Sequence, residues 1–250
     1  VLAAAGRATV LVHRPATAAV LTTGDELRDP DRFDEVRAGK GVPNSNGPMI
    51  AAMVGATGAT TQLLGTANDD PEDLRVRIES GGDADVLITV GGASVGEADL
   101  VKRVLDQMGY RRGFWRVRMR PGSPVGFGWL PRAGRMQPVF SLPGNPTSAF
   151  VTFEVLVRPF LLKLAGHRRT ERRRVLAKAL EEIRTPARLT YYLRVTLEGA
   201  DKDLSVRLTG PQGSGLVSGL ARAGGLAVLG EEISAVRVGE DVSVMLLCDR

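Results

Sequence analysis

Cysteine is almost missing from this chain of 250 residues: Cys248 stands alone, which excludes an internal disulfide and any metal cluster built on paired thiolates. Histidine is nearly as scarce. His13 and His167 are the only two, and they lie far apart in the sequence, so a zinc site is not expected. Aromatic residues make up 5% and form no stacking series, which argues against nucleic acid as a partner. No apolar run reaches the length of a membrane span, and no stretch reads as a secretory signal. A cytoplasmic setting, with no membrane association, is the resulting expectation. No Met opens the chain, and Val1-Leu2-Ala3-Ala4-Ala5-Gly6 reads as the tail of a helix closed by a glycine. Residues 1–14 are therefore read as the tail of a missing N-terminal region, in a fragment of a longer protein.

What is present fits a soluble globular fold: 43% hydrophobic residues, 24% charged residues, and 30 glycines that imply many tight turns. The net charge of +5 is local in origin. Arg168, Arg169, Arg172, Arg173 and Arg174 cluster between two apolar segments and read as a solvated linker. Arg116, Arg118 and Arg120 alternate with Val117 and Met119. That period places the three guanidinium groups on one face of a strand, suited to an anionic small ligand.

The most telling stretch is Val90-Gly91-Gly92-Ala93-Ser94-Val95-Gly96-Glu97-Ala98-Asp99. It follows the apolar run 86–89, which reads as a buried parallel strand, and leads into helical spacing over 100–108. A strand, a glycine-rich turn and a helix start together aim backbone N–H groups at an arriving anion. Ser94 adds a hydroxyl, and Glu97 and Asp99 add carboxylates, a mixture that suits a divalent metal bridging phosphate and carboxylate. The plainer reading of the same residues is a βα loop with a capping serine.

Strands are predicted over 17–22, 60–64 and 86–90, alternating with helices over 46–54 and 71–78, with Asn46 as a candidate cap. This is the βαβ pattern of a parallel sheet with both faces covered. Ligands collect beyond the C-terminal strand ends of such sheets, where Thr23-Gly24-Asp25-Glu26, Asn68-Asp69-Asp70 and the glycine loop all fall. Strand-like pieces follow over 114–119, 125–129 and 138–142. The last feeds Pro143-Gly144-Asn145-Pro146-Thr147-Ser148, a helix start with Asn145 or Ser148 as cap and Pro146 in the first turn, and then a long apolar helix over 149–164. Beyond the arginine cluster, short strands over 175–183, 191–197, 204–208, 226–229 and 242–247 describe a small all-β domain. There the alternation of Tyr192, Arg194 and Thr196 predicts one exposed face.

These motifs together resemble the MoeA family of molybdopterin molybdenumtransferases and the E domain of gephyrin. The matching pieces are Thr23-Gly24-Asp25-Glu26-Leu27, Asn46-Gly47-Pro48-Met49, Asp69-Asp70-Pro71, the glycine loop from Gly91 to Asp99, Arg120-Pro121-Gly122, Leu142-Pro143-Gly144-Asn145-Pro146 and Gln212-Gly213-Ser214-Gly215. They fall in family order across nearly the whole chain. The resemblance implies an α/β fold: a three-layer, parallel-type, MogA-like molybdopterin-binding domain over 15–166, then a C-terminal β-domain over 174–250. It also implies insertion of molybdate into adenylylated molybdopterin (molybdopterin-AMP) with release of AMP, using Mg²⁺. On the resemblance, Glu26, Asp70 and Asp99 are the catalytic and metal-binding carboxylates. Gly91, Gly92 and Ser94 cradle phosphate, Pro143, Asn145 and Pro146 shape the loop near molybdate, and Arg120 supplies a cation. Ser214 is carried over as a contact that reaches the pocket of a partner subunit in a homodimer. A molybdopterin adenylyltransferase is the implied protein partner. The chain departs from the family at the usual Lys-Pro-Gly-Lys turn, where it has Arg120-Pro121-Gly122-Ser123, and in lacking the two usual N-terminal domains.

Two other readings compete. A molybdopterin adenylyltransferase-like binding domain would share the α/β part, but that type has no C-terminal β-domain. A non-catalytic scaffold or fragment is the alternative of a different class, and no peptide-binding groove is visible in the sequence to favour it.

Overall fold

A computed structural model describes residues 1–91, 97–186, 188–199 and 203–248, the side chains of 97–99 excepted. In chain order the first unit comprises β1 (Thr17–Thr23), β2 (Leu27–Arg28), α1 (Phe33–Arg37), β3 (Val42–Pro43), α2 (Asn46–Gly55), β4 (Thr60–Ala67), α3 (Pro71–Ser80), β5 (Val86–Val90), α4 (Glu97–Gln107), β6 (Arg111–Trp115) and β7 (Met119–Arg120). It continues with β8 (Gly126–Arg132), β9 (Arg135–Leu142), α5 (Pro146–Thr152), a π-helical turn (Phe153–Val157) and α6 (Arg158–Leu164).

Its sheet has the order β4-β1-β5-β9-β8-β6. β4, β1, β5 and β9 run parallel, whereas β8 and β6 are antiparallel. The sheet is thus mixed rather than wholly parallel, because the short turn between the paired Arg132 and Arg135 folds β9 straight back on β8. Alternate residues of each central strand enter opposite cores. Val20, Ile88 and Phe140 pack with Ile50, Val54, Phe153 and Leu161 under α2, α5 and α6. Leu21, Leu87 and Val139 pack with Leu74, Ile78, Val104 and Leu105 under α3 and α4. Both faces are therefore covered, giving three layers.

The second unit comprises β10 (Arg174–Ala179), β11 (Ile183–Arg184), β12 (Thr190–Glu198), β13 (Ser205–Leu208), α7 (Ser218–Ala221), β14 (Gly225–Leu229), β15 (Ala235–Val236) and β16 (Asp241–Leu246). The pairings β12–β13, β13–β10, β10–β16, β16–β14 and β14–β12 close it into a small barrel. Val195, Val206, Ala227, Leu229 and Val244 fill the interior. β7, from the first unit, joins β12 in parallel, Thr190 beside Met119 and Tyr191 beside Arg120.

Residues 1–6 form a single helical turn, Ala5 N–H donating to Val1 C=O at 3.0 Å, closed by Gly6 at φ +67° with Arg7 N–H donating to Leu2 C=O at 3.0 Å, the glycine-closed helix end that the sequence implies. Several expectations are corrected. The arginine strand over 114–119 is broken: β6 stops at Trp115 and β7 starts at Met119, because Arg116 takes φ +108°. Arg116, Arg118 and Arg120 therefore share no single strand face. The predicted strand over 175–183 is two pieces, β10 and β11. β4 runs through Gly65 to Ala67, with a bulge accommodating the glycine. The helix over 149–164 is interrupted by the π turn. β12 has no exposed face at its centre, since Tyr192 and Arg194 are both buried. Tyr192 packs with Met119, Val151, Leu226 and Met245 where the two units meet. Arg172 is not a solvated linker residue either: its guanidinium meets the buried carboxylate of Glu154 at 2.9 Å.

Candidate active site

The C-terminal ends of β1 and β5 open onto a cavity of about 530 Å³. Thr23, Glu26, Asn46, Gly91, Asn145 and Pro146 line it, and Gly215 and Val217 close it from the barrel side. We refer to it as the rim cavity. Close backbone approach builds its floor. Gly91 has φ +124°, and a Cβ there would lie 2.5 Å from the Thr23 carbonyl oxygen, so only glycine fits. The Asn46 amide donates to the Gly144 carbonyl at 2.6 Å, tying α2 to the loop before α5. Asn46 caps nothing with its side chain; the α2 N–H of Gly47 is met by Asn44 Oδ1 instead, at 3.0 Å. Asn46 Oδ1 and Thr23 Oγ1 are buried without a partner among the described residues. Such atoms need a polar ligand or water.

Glu26 lines the cavity. Its carboxylate folds over Gly24, where φ is +140° and a Cβ would fall 2.6 Å from Oε2. The loop of Glu26 meets the loop of Asp69 through a hydrogen bond, Asp69 N–H donating to Asp25 Oδ1 at 2.8 Å. Asp70 does not line this cavity. Its Oδ1 accepts from the N–H groups of Glu72 and Asp73, at 3.0 and 2.8 Å, as an N-cap of α3 with Pro71 behind it. Gly92 and Ser94 lie outside the described residues, as does the side chain of Asp99. Pro143 is buried behind the loop, while Asn145 and Pro146 reach the cavity. Among the described residues no three of His, Cys, Asp and Glu gather as metal ligands.

A second cavity, of about 740 Å³, lies between the two units. Arg120 and the turn 121–124 form one wall, Ser148 of α5 another, and Tyr191, Gln212, Gly213 and Ser214 the barrel side. Sequence neighbours of these residues line the rim cavity, Pro146 two residues before Ser148 and Gly215 next to Ser214, and Thr147 N–H donates to the Ser214 carbonyl at 3.0 Å. Through its backbone carbonyl Ser214 thus docks on the start of α5. Gly122 sits close under α5, where a Cβ would strike Thr152 Cγ2. Arg118 points elsewhere, paired with Glu231 at 2.8 Å.

Sequence reasoning missed Arg194, which is 1% exposed. Its Nη2 donates to the carbonyls of Pro211 and Gly213, at 2.9 and 3.3 Å. Its backbone N–H donates to Gln212 Oε1 at 2.8 Å, and Gln212 Nε2 returns to the Arg194 carbonyl at 3.2 Å. Nε has no partner among the described residues, and burial holds the guanidinium pKa below its ordinary value. A buried cation that meets no carboxylate among the described residues, behind the wall of a cavity, favours an anion there. The available signal was an arginine inside the otherwise apolar run Tyr-Tyr-Leu-Arg-Val.

Comparison with known proteins shows the family. Molybdopterin molybdenumtransferase 1 of Mycobacterium tuberculosis is 37% identical over 253 residues, covering 98% of this chain and 58% of that protein. Molybdopterin molybdenumtransferase of Haemophilus influenzae is 31% identical over 97% of this chain and 59% of its own length. The chain thus spans less than two thirds of these relatives. The crystal structure of a molybdopterin biosynthesis MoeA protein from Pyrococcus horikoshii superposes with a TM-score of 0.80 at 28% identity, over 100% of this chain and 59% of that one. Residues 177–247 match the family described as "MoeA C-terminal region (domain IV)", and residues 19–163 match "Probable molybdopterin binding domain". The chain belongs to the MoeA family, its molybdopterin-binding domain followed by domain IV.

Proposed function

We propose that the chain is the substrate-binding part of a molybdopterin molybdenumtransferase. It holds adenylylated molybdopterin in the rim cavity and molybdate in the cavity between the units, and the products are molybdenum cofactor and AMP. The observation that carries this reading is the adjacency of the two cavities: Pro146 and Gly215 line one, Ser148 and Ser214 the other, and the Thr147–Ser214 hydrogen bond joins the two segments between them. One ligand alone would need no second chamber. The cavity between the units suits an oxyanion: Arg120 is an exposed cation, the Ser148 and Ser214 hydroxyls are donors, and Arg194 adds buried positive charge behind the wall. The rim cavity suits the larger ligand, with backbone at Gly91, unpaired polar atoms on Thr23 and Asn46, and one carboxylate on Glu26.

Equilibrium binding of molybdate at two salt concentrations tests the assignment. Arg120→Ala is expected to weaken binding by about tenfold, the worth of one charge-assisted contact, and to flatten the salt dependence. Arg118→Ala, whose guanidinium already serves Glu231, is expected to do neither. Equal effects from the two variants would mean a diffuse basic field and would refute the site.

A further inference from the structure

Between β1 and α2 the chain leaves the sheet and returns, and both arms of this excursion carry wall residues of the rim cavity. Glu26 lies on the outgoing arm and Asn46 at the end of the returning one. The arms pair briefly, Leu27 beside Val42 and Arg28 beside Pro43. Val42 N–H donates to the Glu26 carbonyl at 2.8 Å, and Asn44 N–H to the Arg28 carbonyl at 2.7 Å. Two residues of pairing do not define a rigid unit, so the position of Glu26 relative to the sheet must come from something else.

We propose that Asn44 is the positioning residue that sets Glu26 opposite Asn46 in the rim cavity. Its side chain is 5% exposed and meets every part that must be held in register. Nδ2 lies 3.0 Å from Thr22 Oγ1 on β1, 3.0 Å from Thr66 Oγ1 on β4 and 2.8 Å from Asp29 Oδ1 on the outgoing arm. Oδ1 accepts from Gly47 N–H in the first turn of α2 at 3.0 Å. Sheet end, outgoing arm and helix start therefore converge on one carboxamide. Only a group that donates on one side and accepts on the other satisfies both Asp29 and Gly47. A carboxylate at position 44 would still accept from Gly47 but would face the carboxylate of Asp29 at hydrogen-bond distance. The contact is close enough that a Cβ on Gly47 would come within 3.2 Å of Asn44 Nδ2. Asn44 itself does not line the cavity, so its influence on ligand acts through Glu26 and Asn46.

The inference rests on the proposed binding of adenylylated molybdopterin in the rim cavity, and that probe is used for the test. The unsubstituted chain must first bind it; failure there overturns the functional reading and leaves the geometry of Asn44 aside. Given binding, Asn44→Asp is expected to raise Kd at least tenfold at pH 8 and 20 °C, well below the thermal midpoint. The double variant Asn44→Asp with Asp29→Asn exchanges donor and acceptor across the same hydrogen bond and is expected to return Kd to within threefold of the original. A lowered thermal midpoint with unchanged Kd for Asn44→Asp would show a structural role only. A folded double variant that does not recover affinity would equally overturn the proposal.

Discussion

Replacing Gly91 by alanine should be among the most costly single-methyl additions in this protein. Its φ of +124° lies where side chains are rarely tolerated, a strain of about 1–3 kcal/mol. The added Cβ would also lie 2.5 Å from both the carbonyl oxygen and Oγ1 of Thr23. Thr23 is the last residue of a central strand, so it cannot retreat without breaking pairing, and overpacking of this kind costs roughly another 1–3 kcal/mol. Together about 4 kcal/mol is expected, or a midpoint lower by about 8–16 °C for a chain of this size. Gly58→Ala is the matched control. Gly58 has φ +80° with nothing within 4 Å of its Cβ position, so it carries backbone strain alone, about 1 kcal/mol and about 2–4 °C. Both variants restrict the unfolded chain equally, which leaves the collision as their difference. Thermal unfolding followed by circular dichroism reads it. Midpoints within about 2 °C of each other would refute the reasoning, because the collision with Thr23 would then have no energetic weight.

Asp85 is held down to a pKa of about 2 by the Arg14 guanidinium and by the N–H and hydroxyl of Thr17. A carboxylate depressed on folding stabilises above its unfolded pKa and loses that contribution as pH falls from about 4 towards 2; urea midpoints at pH 7 and pH 3 should therefore converge in Asp85→Asn relative to the parent. Glu154, whose side chain is 4% exposed, faces Arg172 and Arg158, so Glu154→Ala should cost about 3–5 kcal/mol by breaking a buried ion pair, measured by urea denaturation. Arg194→Met should release the Pro211 and Gly213 carbonyls and speed amide exchange over 211–216 while β10 and β16 keep their protection; unchanged exchange there would show that Arg194 does not hold the loop.

Much of the α/β domain was legible because its strands are short apolar runs bounded by turn residues. β5 falls on the predicted 86–90 without a shift, and α5 starts at Pro146 as the Pro-Gly-Asn-Pro sequence implies. Glu26, Asn145 and Pro146 were expected at a shared rim and line one cavity. Asp70 illustrates an ambiguity that sequence alone does not resolve: an aspartate before proline reads equally as a site carboxylate and as the cap that α3 uses. Alternation misled at Arg116 and at β12. A period of two assumes extended backbone, which Arg116 leaves at φ +108°, and it assumes one wet face, which the neighbouring unit covers at Tyr192. The cavity between the units was invisible for a simpler reason, since Arg120, Ser148 and Ser214 come from distant segments that only tertiary packing joins.

The two residues of β7 on the side of β12 bear on how the molecule is made. The α/β part leaves the ribosome first, carrying Met119 and Arg120 before any barrel strand exists. When β12 emerges, Thr190 and Tyr191 find a docking edge already in place, and Met119 offers an apolar seat for Tyr192, Leu226 and Met245. β7 thus extends a barrel that its own five pairings close. Severing the chain between 166 and 174 would not liberate an autonomous module, because the excised barrel would carry a bare strand edge and an uncovered apolar patch, the combination that promotes aggregation. A transplant of domain IV to another protein would therefore do best to bring residues 119–120 along, since they cover that edge and that patch.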